Sequence, residues 1–365
     1  MRLKLTYEEA LKKSRPGLRY KIEQSVALLR QAERLALRYD SENGFWTAFS
    51  GGKDSQALLH VVQLAGVKYQ AHFSPTTVDP PQVIRFIREH YPEVVFEKVS
   101  KSIFTVAKEK GIVPTRNLRW CCAEFKESAG AGKVTLTGIR KAESTKRAKR
   151  KAVEVSGYKF SGDLGEFFSW SEEKVRKKYK NLNQDEFSRD KQQEIRCING
   201  KDSIIVNPML EWTDANVWEF LNDVCEVPHC ELYDPPFNQH RIGCILCPMA
   251  SHRQKLRDCS LWPHVKQQWL KVFEYFIGGG IPRNGEELPQ PHHRRLWTPD
   301  HGGGQNPTME TTRNGKPRGG GGGQDSSEIL FDWWISGKSW PEFKEDFLHP
   351  KLFGTEFAEE RNKKE

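Results

Sequence analysis

The spacing of apolar residues changes along the chain between a helical and an extended period. Apolar residues recur every three or four positions over residues 17 to 40, with Lys, Arg and Glu between them, which predicts a long amphipathic helix. Phe45 to Phe49 is a short apolar and aromatic run, typical of a buried parallel strand. The remaining pattern predicts strands at 67–73, 94–99, 134–137 and 204–206, and helices at 56–64, 80–90, 103–110 and 214–222. Alternating strands and helices indicate an α/β fold with a mainly parallel sheet flanked by helices.

Two segments interrupt this alternation. Residues 141–201 are highly charged and weakly apolar, so we expect a helical insertion or a mobile lid. Residues 302–323 are rich in glycine and predict a flexible linker. Beyond this linker, residues 331–334 and Trp340 are apolar enough that we expect them to pack against the folded part of the chain. We therefore expect one domain over 1–260, which carries the insertion, and a C-terminal extension over 261–365.

The composition is that of a soluble protein. Hydrophobic residues make up 37% and charged residues 29% of 365 residues, and no run of about 18 apolar residues predicts a membrane span. The first residues lack the apolar stretch of a signal peptide, so we expect a cytoplasmic protein. The net charge of +9 fits either phosphate-rich partners or a solvated basic surface.

The strongest local motif is a glycine turn between the predicted strand at 45–49 and the helix after it. Glycine permits tight turns in which backbone N–H groups point at one anion, and the following helix adds its positive N-terminal end. Two hydroxyls and one ammonium group add donors, while Asp54 is placed to cap the helix or to help hold Mg²⁺. The spacing differs from that of a Walker A loop. An ordinary capped turn is the alternative to a phosphate loop formed by Ser50, Gly51, Gly52, Lys53, Asp54 and Ser55.

Further motifs follow in a fixed order. Trp120–Lys126 reads W-C-C-x-x-x-K, and Leu136–Ser144 contains G-x-R-x-x-E-S. Asn207–Trp218 contains P-x-x-x-W-T-x-x-x-V-W, and the last motif joins Leu-Tyr-Asp at 232–234 to R-x-G-C-x-x-C at 241–247. Together with the glycine turn, these segments resemble the phosphoadenosine-phosphosulfate-reductase-like family of the PP-loop superfamily. Most members of that superfamily cleave ATP between its α and β phosphates.

The resemblance implies that the site binds ATP or an adenylylsulfate-type nucleotide. Arg140 is a planar cation suited to a phosphate or sulfate group. Glu143 is expected to orient Arg140 or to cap a helix, and Lys126 to reach a phosphate. Asp79 follows the second strand, where the family often has Asp-Thr, although this chain reads Thr76-Thr77-Val78-Asp79. The loop lysine and aspartate, Lys126 and Arg140 are the predicted catalytic residues. Gly138, Asp79 and Glu143 complete the predicted nucleotide site.

Eight cysteines divide into clustered and isolated residues. Cys121, Cys122, Cys244 and Cys247 form two pairs whose soft sulfurs suit a [4Fe–4S] cluster or tetrahedral zinc. Cys230 competes with Cys121 for the fourth place. This arrangement resembles the iron–sulfur branch of the family, and buried cysteines without a metal are the alternative. The other three are expected to pack in the core: Cys197, Cys225 and Cys259.

The reductases of this family carry a catalytic cysteine in a C-terminal E-C-G-x-H segment, and residues 260–365 contain no cysteine. We therefore expect an enzyme that cleaves ATP to AMP and pyrophosphate and drives sulfur transfer to DNA or tRNA, with a sulfur donor such as a cysteine desulfurase. The basic stretches at 140–151 and 174–180 would track a phosphate backbone, or would be solvated helix faces. An adenylylsulfate or phosphoadenylylsulfate reductase that uses an external thiol, and an inactive nucleotide-binding regulator, are the two alternatives.

Overall fold

The computed structural model describes residues 2–127, 129–155, 158–159, 171, 174, 204–277, 326–338 and 342–343. The chain forms two compact units that are interleaved in sequence. The first unit contains residues 1–100 and 120–244, and the second contains residues 101–119 and 245–365. The helix over 103–110 therefore belongs to the second unit, although the strands on either side of it in sequence belong to the first.

A sheet of seven described strands forms the centre of the first unit, in the order β3-β2-β1-β4-β7-β5-β6. Strands β1, β2, β3, β4 and β7 run parallel, which confirms the predicted α/β class. Strand β5 is antiparallel to β7, and β6 is antiparallel to β5. The strands are β1 Phe45–Ala48, β2 Tyr69–Phe73, β3 Val95–Phe96, β4 Val134–Leu136, β5 Val153–Val155, β6 Tyr158–Lys159 and β7 Ile204–Val206.

The longest helix packs on the sheet and follows the predicted amphipathic pattern. It begins at Pro16, whose fixed φ angle suits a first helical position, and it buries one face against β1, β4 and the next helix. The helices of the first unit are α1 Tyr7–Lys13, α2 Pro16–Tyr39, α3 Lys53–Ala65, α4 Pro81–His90, α6 Trp120–Cys122, α7 Thr145–Ala148 and α8 Asp214–Trp218. The second unit has α5 Ile103–Lys110, α9 His252–Leu261, α10 Pro263–Ile277 and α11 Ser326–Ser336.

Two predicted helical segments differ in the structure. The helix expected over 214–222 continues as a π-helix over Glu219–Val224. The segment expected as a helical insertion begins with a 3-10 helix over Lys141–Glu143 and with α7, and the residues that follow form the strands β5 and β6, which the sequence did not predict. Val153 and Val155 alternate with Glu154, and this pattern lets β5 pair along β7. Residues 156–157, 160–170, 172–173 and 175–201, which include Cys197, and the linker at 302–323 lie outside the described residues.

Aromatic side chains fill the core of the second unit. Trp334 on α11 packs against Trp269 on α10 in a tilted arrangement with ring centroids 4.8 Å apart, and Phe331 and Phe273 pack beside them. The indole N–H of Trp334 donates to the carbonyl of Pro114 at 2.7 Å. The expected docking of 331–334 is therefore observed within this unit, while Trp340 lies outside the described residues. None of the described helices is long and apolar enough to cross a membrane.

Candidate active site

The glycine turn joins the end of β1 to the first turn of α3. Gly51 has a φ of +71°, and a Cβ there would come within 3.0 Å of the side chains of Val83 and Ile87, so both backbone angle and space require glycine. The hydroxyl of Ser55 donates to the carbonyl of Gly52 at 2.8 Å and accepts from the backbone N–H of Ser50 at 3.1 Å. The loop therefore holds its own shape at the N-terminus of α3.

A second loop lies directly against this turn. The parallel strands β1 and β4 end at the same edge of the sheet, where α/β folds form their ligand crevice. A Cβ on Gly138, just after β4, would meet the carbonyl oxygen of Asp54 at 2.7 Å. This close backbone approach explains why a glycine stands at position 138, and it fixes the next residues of the loop beside α3.

Four charged side chains meet where the loops after β1, β4 and β7 come together. The Arg140 guanidinium donates to Asp54 at 2.7 Å through Nε and to Asp214 at 3.0 Å through Nη2. The ammonium group of Lys53 lies 3.2 Å from Asp214 Oδ1 and 3.6 Å from Asp54 Oδ2. Lys53 is 2% exposed and Arg140 is 3% exposed. Two buried cations are thus balanced by two carboxylates, as buried charges require.

The Tyr233 side chain packs against the glycine turn. The backbone N–H of Lys53 donates to the Tyr233 hydroxyl at 2.8 Å, and the Lys53 ammonium donates to the carbonyl of His240 at 3.3 Å. Burial raises the pKa of Tyr233 well above its usual range, so the phenol keeps its proton near neutrality. One amide of the glycine turn therefore already has a hydroxyl partner.

Glu143 supports Arg140 through the backbone. Its carboxylate accepts from the N–H of Arg140 at 3.1 Å. The same carboxylate pairs with Arg147, one turn further along, and lies 3.4 Å from Arg241. The Glu143 side chain is only 5% exposed, whereas that of Arg241 is 62% exposed. The bond to the Arg140 N–H is also the capping-box contact of the 3-10 helix over Lys141–Glu143, so this geometry is compatible with both roles predicted for Glu143.

This arrangement suits a ligand with several negative oxygens. Arg140 and Lys53 are preorganised cations in a site with little water around them, where their field acts strongly on phosphate or sulfate. The glycine turn adds backbone N–H groups and the positive end of α3. A polyphosphate or sulfated nucleotide provides the matching charge.

A second group of predicted residues lies around Lys126. Its side chain is exposed, and the negative charge of Cys244, followed by that of Asp79 and Cys122, raises the pKa of Lys126 above its usual range. Asp79 also accepts a hydrogen bond from the backbone N–H of Thr76 at 2.6 Å, which fixes the loop after β2. Two of the predicted cysteine ligands thus lie near the same ammonium group.

The thiols provide the soft donors that iron or zinc prefers, but they are not assembled as a complete metal centre. Among the described residues, no group of three or more His, Cys, Asp or Glu side chains could hold a metal ion. Cys121 and Cys122 are partly exposed, as are Cys244 in the first unit and Cys247 in the second. Cys230 is fully buried, and burial raises its pKa to about 11. Cys225 and Cys259 are partly buried, and Cys225 packs against the core of the first unit.

Sequence reasoning did not single out two residues of this site, Asp214 and Tyr233. Both lie inside sequence motifs: Asp214 belongs to the segment Asn207–Trp218, and Tyr233 is the tyrosine of Leu-Tyr-Asp at 232–234. Asp214 follows the N-cap Thr213 and reads from sequence as an ordinary acidic residue of a first helical turn. Only the fold places it against Lys53 and Arg140, because α8 begins at the edge of the sheet where β4 and β7 end.

Comparison with known proteins gives one family match and several distant likenesses. The family model of the phosphoadenosine phosphosulfate reductase domain matches residues 44–250. An uncharacterised protein of Methanocaldococcus jannaschii is 25% identical over 235 residues, which are 63% of this chain and 47% of that protein. The matched region thus covers about half of the length of this curated relative.

Solved structures of an adenylyltransferase are also similar. The FMN adenylyltransferase of Candida glabrata aligns with a TM-score of 0.38 and 16% identity, over 66% of this chain and 67% of that chain. Its complex with FMN and the ATP analog AMPCPP aligns with a TM-score of 0.37 and 15% identity, over 66% of this chain and 69% of that chain.

Proposed function

Because the chain belongs to the phosphoadenosine phosphosulfate reductase domain family, we propose that it binds ATP at the glycine turn and cleaves it to AMP and pyrophosphate. In this reaction an oxygen of the acceptor substrate attacks the α phosphate and releases pyrophosphate, and a sulfur nucleophile from the donor then displaces AMP from the adenylylated substrate. The observation that carries this proposal is the meeting of Lys53 and Arg140, both almost fully buried, beside backbone amides at the carboxyl edge of a parallel sheet. Burial of two such cations costs free energy, and the binding of an anionic ligand is a function that explains why they are buried here.

Each residue of the site has a role in this reaction. The loop amides and Lys53 hold the phosphates, while Arg140 stabilises the charge that develops on the pyrophosphate leaving group. Asp54 fixes Arg140 through Nε, and Glu143 fixes the Arg140 backbone. A Mg²⁺ ion that accompanies the nucleotide would neutralise phosphate oxygens, and Asp54 is the carboxylate nearest to the turn that would help hold it.

A metal–thiolate centre is the second part of the proposal. We assign Cys121, Cys122, Cys244 and Cys247 as ligands of a [4Fe–4S] cluster, with zinc as the alternative metal and Cys230 as the alternative ligand. The support is the pairing of sulfurs along the sequence and the position of Cys122 and Cys244 near Lys126. Burial of Cys230, which favours the protonated thiol, makes it the weaker ligand candidate. Such a centre would supply sulfur chemistry or structural order.

Metal analysis tests this assignment independently of activity. Protein purified without oxygen should contain about four iron and four sulfide ions per chain, as expected for a cubane cluster, and absorb in the visible region. The variant Cys244→Ser should lose both, whereas Cys225→Ser should keep them. Protein that contains zinc alone, or no metal when prepared without oxygen, would contradict the iron–sulfur assignment.

Nucleic acid is the proposed sulfur acceptor. The segment at 140–151 contains seven Lys or Arg residues and one Glu, and its members Lys146, Lys149 and Lys151 are exposed. Exposed cations next to Arg140 in sequence would bind a phosphate backbone with strong salt dependence. A cysteine desulfurase is the proposed class of sulfur donor.

Product analysis distinguishes the proposal from its alternatives. Anaerobic protein with its metal, Mg²⁺, a sulfur donor and nucleic acid should release pyrophosphate from ATP. Sulfite release from adenylylsulfate or its 3′-phosphate form, with an external thiol and without pyrophosphate release from ATP, would instead identify a reductase. Nucleotide binding without either product would indicate a regulatory protein.

A further inference from the structure

Asp214 differs from the other members of the charged group in its exposure. Its side chain is 61% exposed, whereas the side chains of Lys53 and Arg140 are each 3% exposed and that of Asp54 is 23% exposed. Its Oδ1 atom lies 3.2 Å from the Lys53 ammonium and 3.0 Å from Arg140 Nη2. A single carboxylate oxygen therefore occupies the point between the two buried cations.

That point is also the best position for an oxygen of an anionic ligand. An oxygen placed there is held by an ammonium and a guanidinium group, both of which form charge-assisted hydrogen bonds to phosphate and sulfate oxygens. Asp54 is not equally replaceable, because it belongs to the first turn of α3 and accepts the Nε hydrogen bond of Arg140 at 2.7 Å. Asp214 lies on the separate short helix α8, and its exposed side chain is free to rotate into solvent without moving that helix.

We propose that Asp214 is an internal competitor for the anion-binding position, and that it must leave the two cations before a phosphate or sulfate group can bind there. This inference rests on the proposed binding of an adenine nucleotide at the glycine turn. It assigns to Asp214 a role in specificity. A ligand with one negative charge gains little by replacing one carboxylate, whereas a nucleotide that carries two or more negative charges gains a net attraction.

Removal of the competing charge should therefore tighten binding. In Asp214→Asn the shape is kept and an amide oxygen replaces the carboxylate, so Lys53 and Arg140 keep a partner of the same size. We expect the dissociation constants of ATP and adenylylsulfate to fall by about fivefold, the upper end of the scale for one exposed charge interaction. The salt dependence should become steeper, because the ligand then meets two cations that Asp214 no longer neutralises.

Titration calorimetry at two salt concentrations provides the test. The matched control is Glu211→Gln, which removes a negative charge three residues away on a carboxylate that pairs with Lys141 instead. Asp214→Ala is the second variant, because it also removes the hydrogen-bond acceptor. Melting temperatures of all variants establish that each is folded.

The outcomes separate this inference from the proposed function. Tighter binding by either Asp214 variant, with Glu211→Gln unchanged, supports the inference. Unchanged or weaker binding by both variants overturns it, as does equal tightening by Glu211→Gln, since that would be a general charge effect. Nucleotide binding by the wild type without tightening defeats the inference alone. No binding by any of the folded proteins defeats the proposed function as well.

Discussion

The Arg140 side chain combines features that rarely occur together at a surface loop. Its guanidinium group is almost fully buried and donates to carboxylates at the starts of two different helices, α3 and α8. Gly138, two residues before it, has no room for a side chain. A lysine at this position would offer one ammonium centre in place of the separate Nε and Nη2 donors, so it could not reproduce the geometry of both hydrogen bonds. The position therefore requires arginine for geometric as well as electrostatic reasons.

Replacement of Arg140 should remove catalysis more than folding. In Arg140→Met the charge that would stabilise departing pyrophosphate is lost, so we expect the rate of pyrophosphate release to fall about 100-fold or more. Arg140→Lys should recover only part of the rate. The control Arg241→Gln changes an arginine whose side chain is 62% exposed and should leave most of the activity. A rate in Arg140→Met within threefold of wild type would contradict the assigned role.

Gly138 tests the contact between the two loops. An alanine Cβ would lie 2.7 Å from the backbone carbonyl of Asp54, so one loop must move. We expect Gly138→Ala to reduce the free energy of unfolding by about 1–3 kcal/mol and to weaken nucleotide binding. Gly17→Ala is the control, since its Cβ meets nothing within 4 Å and the position is helical. That change should raise stability by roughly 0.5–1 kcal/mol. Urea unfolding of both variants measures the difference.

Residue-level prediction from sequence succeeded where a local pattern determines the geometry. The glycine turn follows from residue type, because positive φ and close approach demand glycine. Asp214 was not predictable, because its importance depends on which strand end lies next to which helix start. Tyr233 was likewise hidden, since a tyrosine in a short turn gives no sign that its hydroxyl will reach the backbone of Lys53, 180 residues away.

At the scale of elements, α3 follows the glycine turn directly and also carries a buried polar network. His60 contacts the Tyr91 hydroxyl at 3.0 Å through Nε2 and Gln63 at 3.0 Å through Nδ1. The amide of Gln56 donates to the same Tyr91 hydroxyl at 2.8 Å. These contacts tie α3 to the end of α4, so the helix that positions the loop is held by specific hydrogen bonds as well as apolar packing.

The network predicts a dependence of stability on pH. Burial lowers the pKa of His60 to about 4, so the folded protein binds this proton only below that pH. The unfolded chain binds it from about pH 6.5, and the free energy of unfolding should therefore fall by roughly 3 kcal/mol between pH 6.5 and pH 4 from this group alone. Above pH 6.5 the histidine is neutral in both states, and its contribution is constant.

Urea unfolding at several pH values measures this effect. His60→Gln should be less stable than wild type at pH 7, because it disturbs the network, but its stability should fall less steeply between pH 6.5 and pH 4. His90→Gln, at the end of α4, serves as the matched control and should keep the wild-type slope. Equal slopes for wild type and His60→Gln would show that His60 does not titrate as its burial implies.

Elements were predictable where hydrophobic periodicity was long or sharply bounded. The helix expected over 17–40 is observed as Pro16–Tyr39, and the helix expected over 103–110 is observed with those bounds. The π-helix at Glu219–Val224 gave no such signal, because its apolar spacing resembles that of an α-helix. Strand β5 was missed, since three residues within a charged segment form a strand only because β7 offers a pairing edge.

At the scale of the whole molecule, the chain forms two units that exchange sequence segments. The fold class followed from alternation of strands and helices, whereas the assignment of α5 to the second unit depends on long-range packing. In that unit α5 packs on α10, and α11 packs on α10 and α9. Helix α11 therefore completes the core of the second unit from a distant part of the chain.

Trp334 should be a major source of stability for the second unit. Trp334→Phe removes the indole N–H that donates to Pro114 and leaves that carbonyl without this partner, at a cost of about 1–3 kcal/mol. Trp334→Ala should cost more, because it also opens a cavity among aromatic rings. Trp333→Phe, at a less buried position of the same helix, is the comparison. Equal melting temperatures for wild type and Trp334→Ala would contradict docking of α11.

The proposed function depends on the use of Lys53 and Arg140 to hold nucleotide phosphates. Equilibrium binding of ATP to wild type, Lys53→Met and the surface control Lys68→Met tests it most directly. We predict that wild type and Lys68→Met bind ATP alike, and that Lys53→Met binds it about 30-fold or more weakly. Two results would contradict it: a wild-type protein that binds neither ATP nor adenylylsulfate, or a Lys53→Met variant that binds ATP as tightly as the wild type.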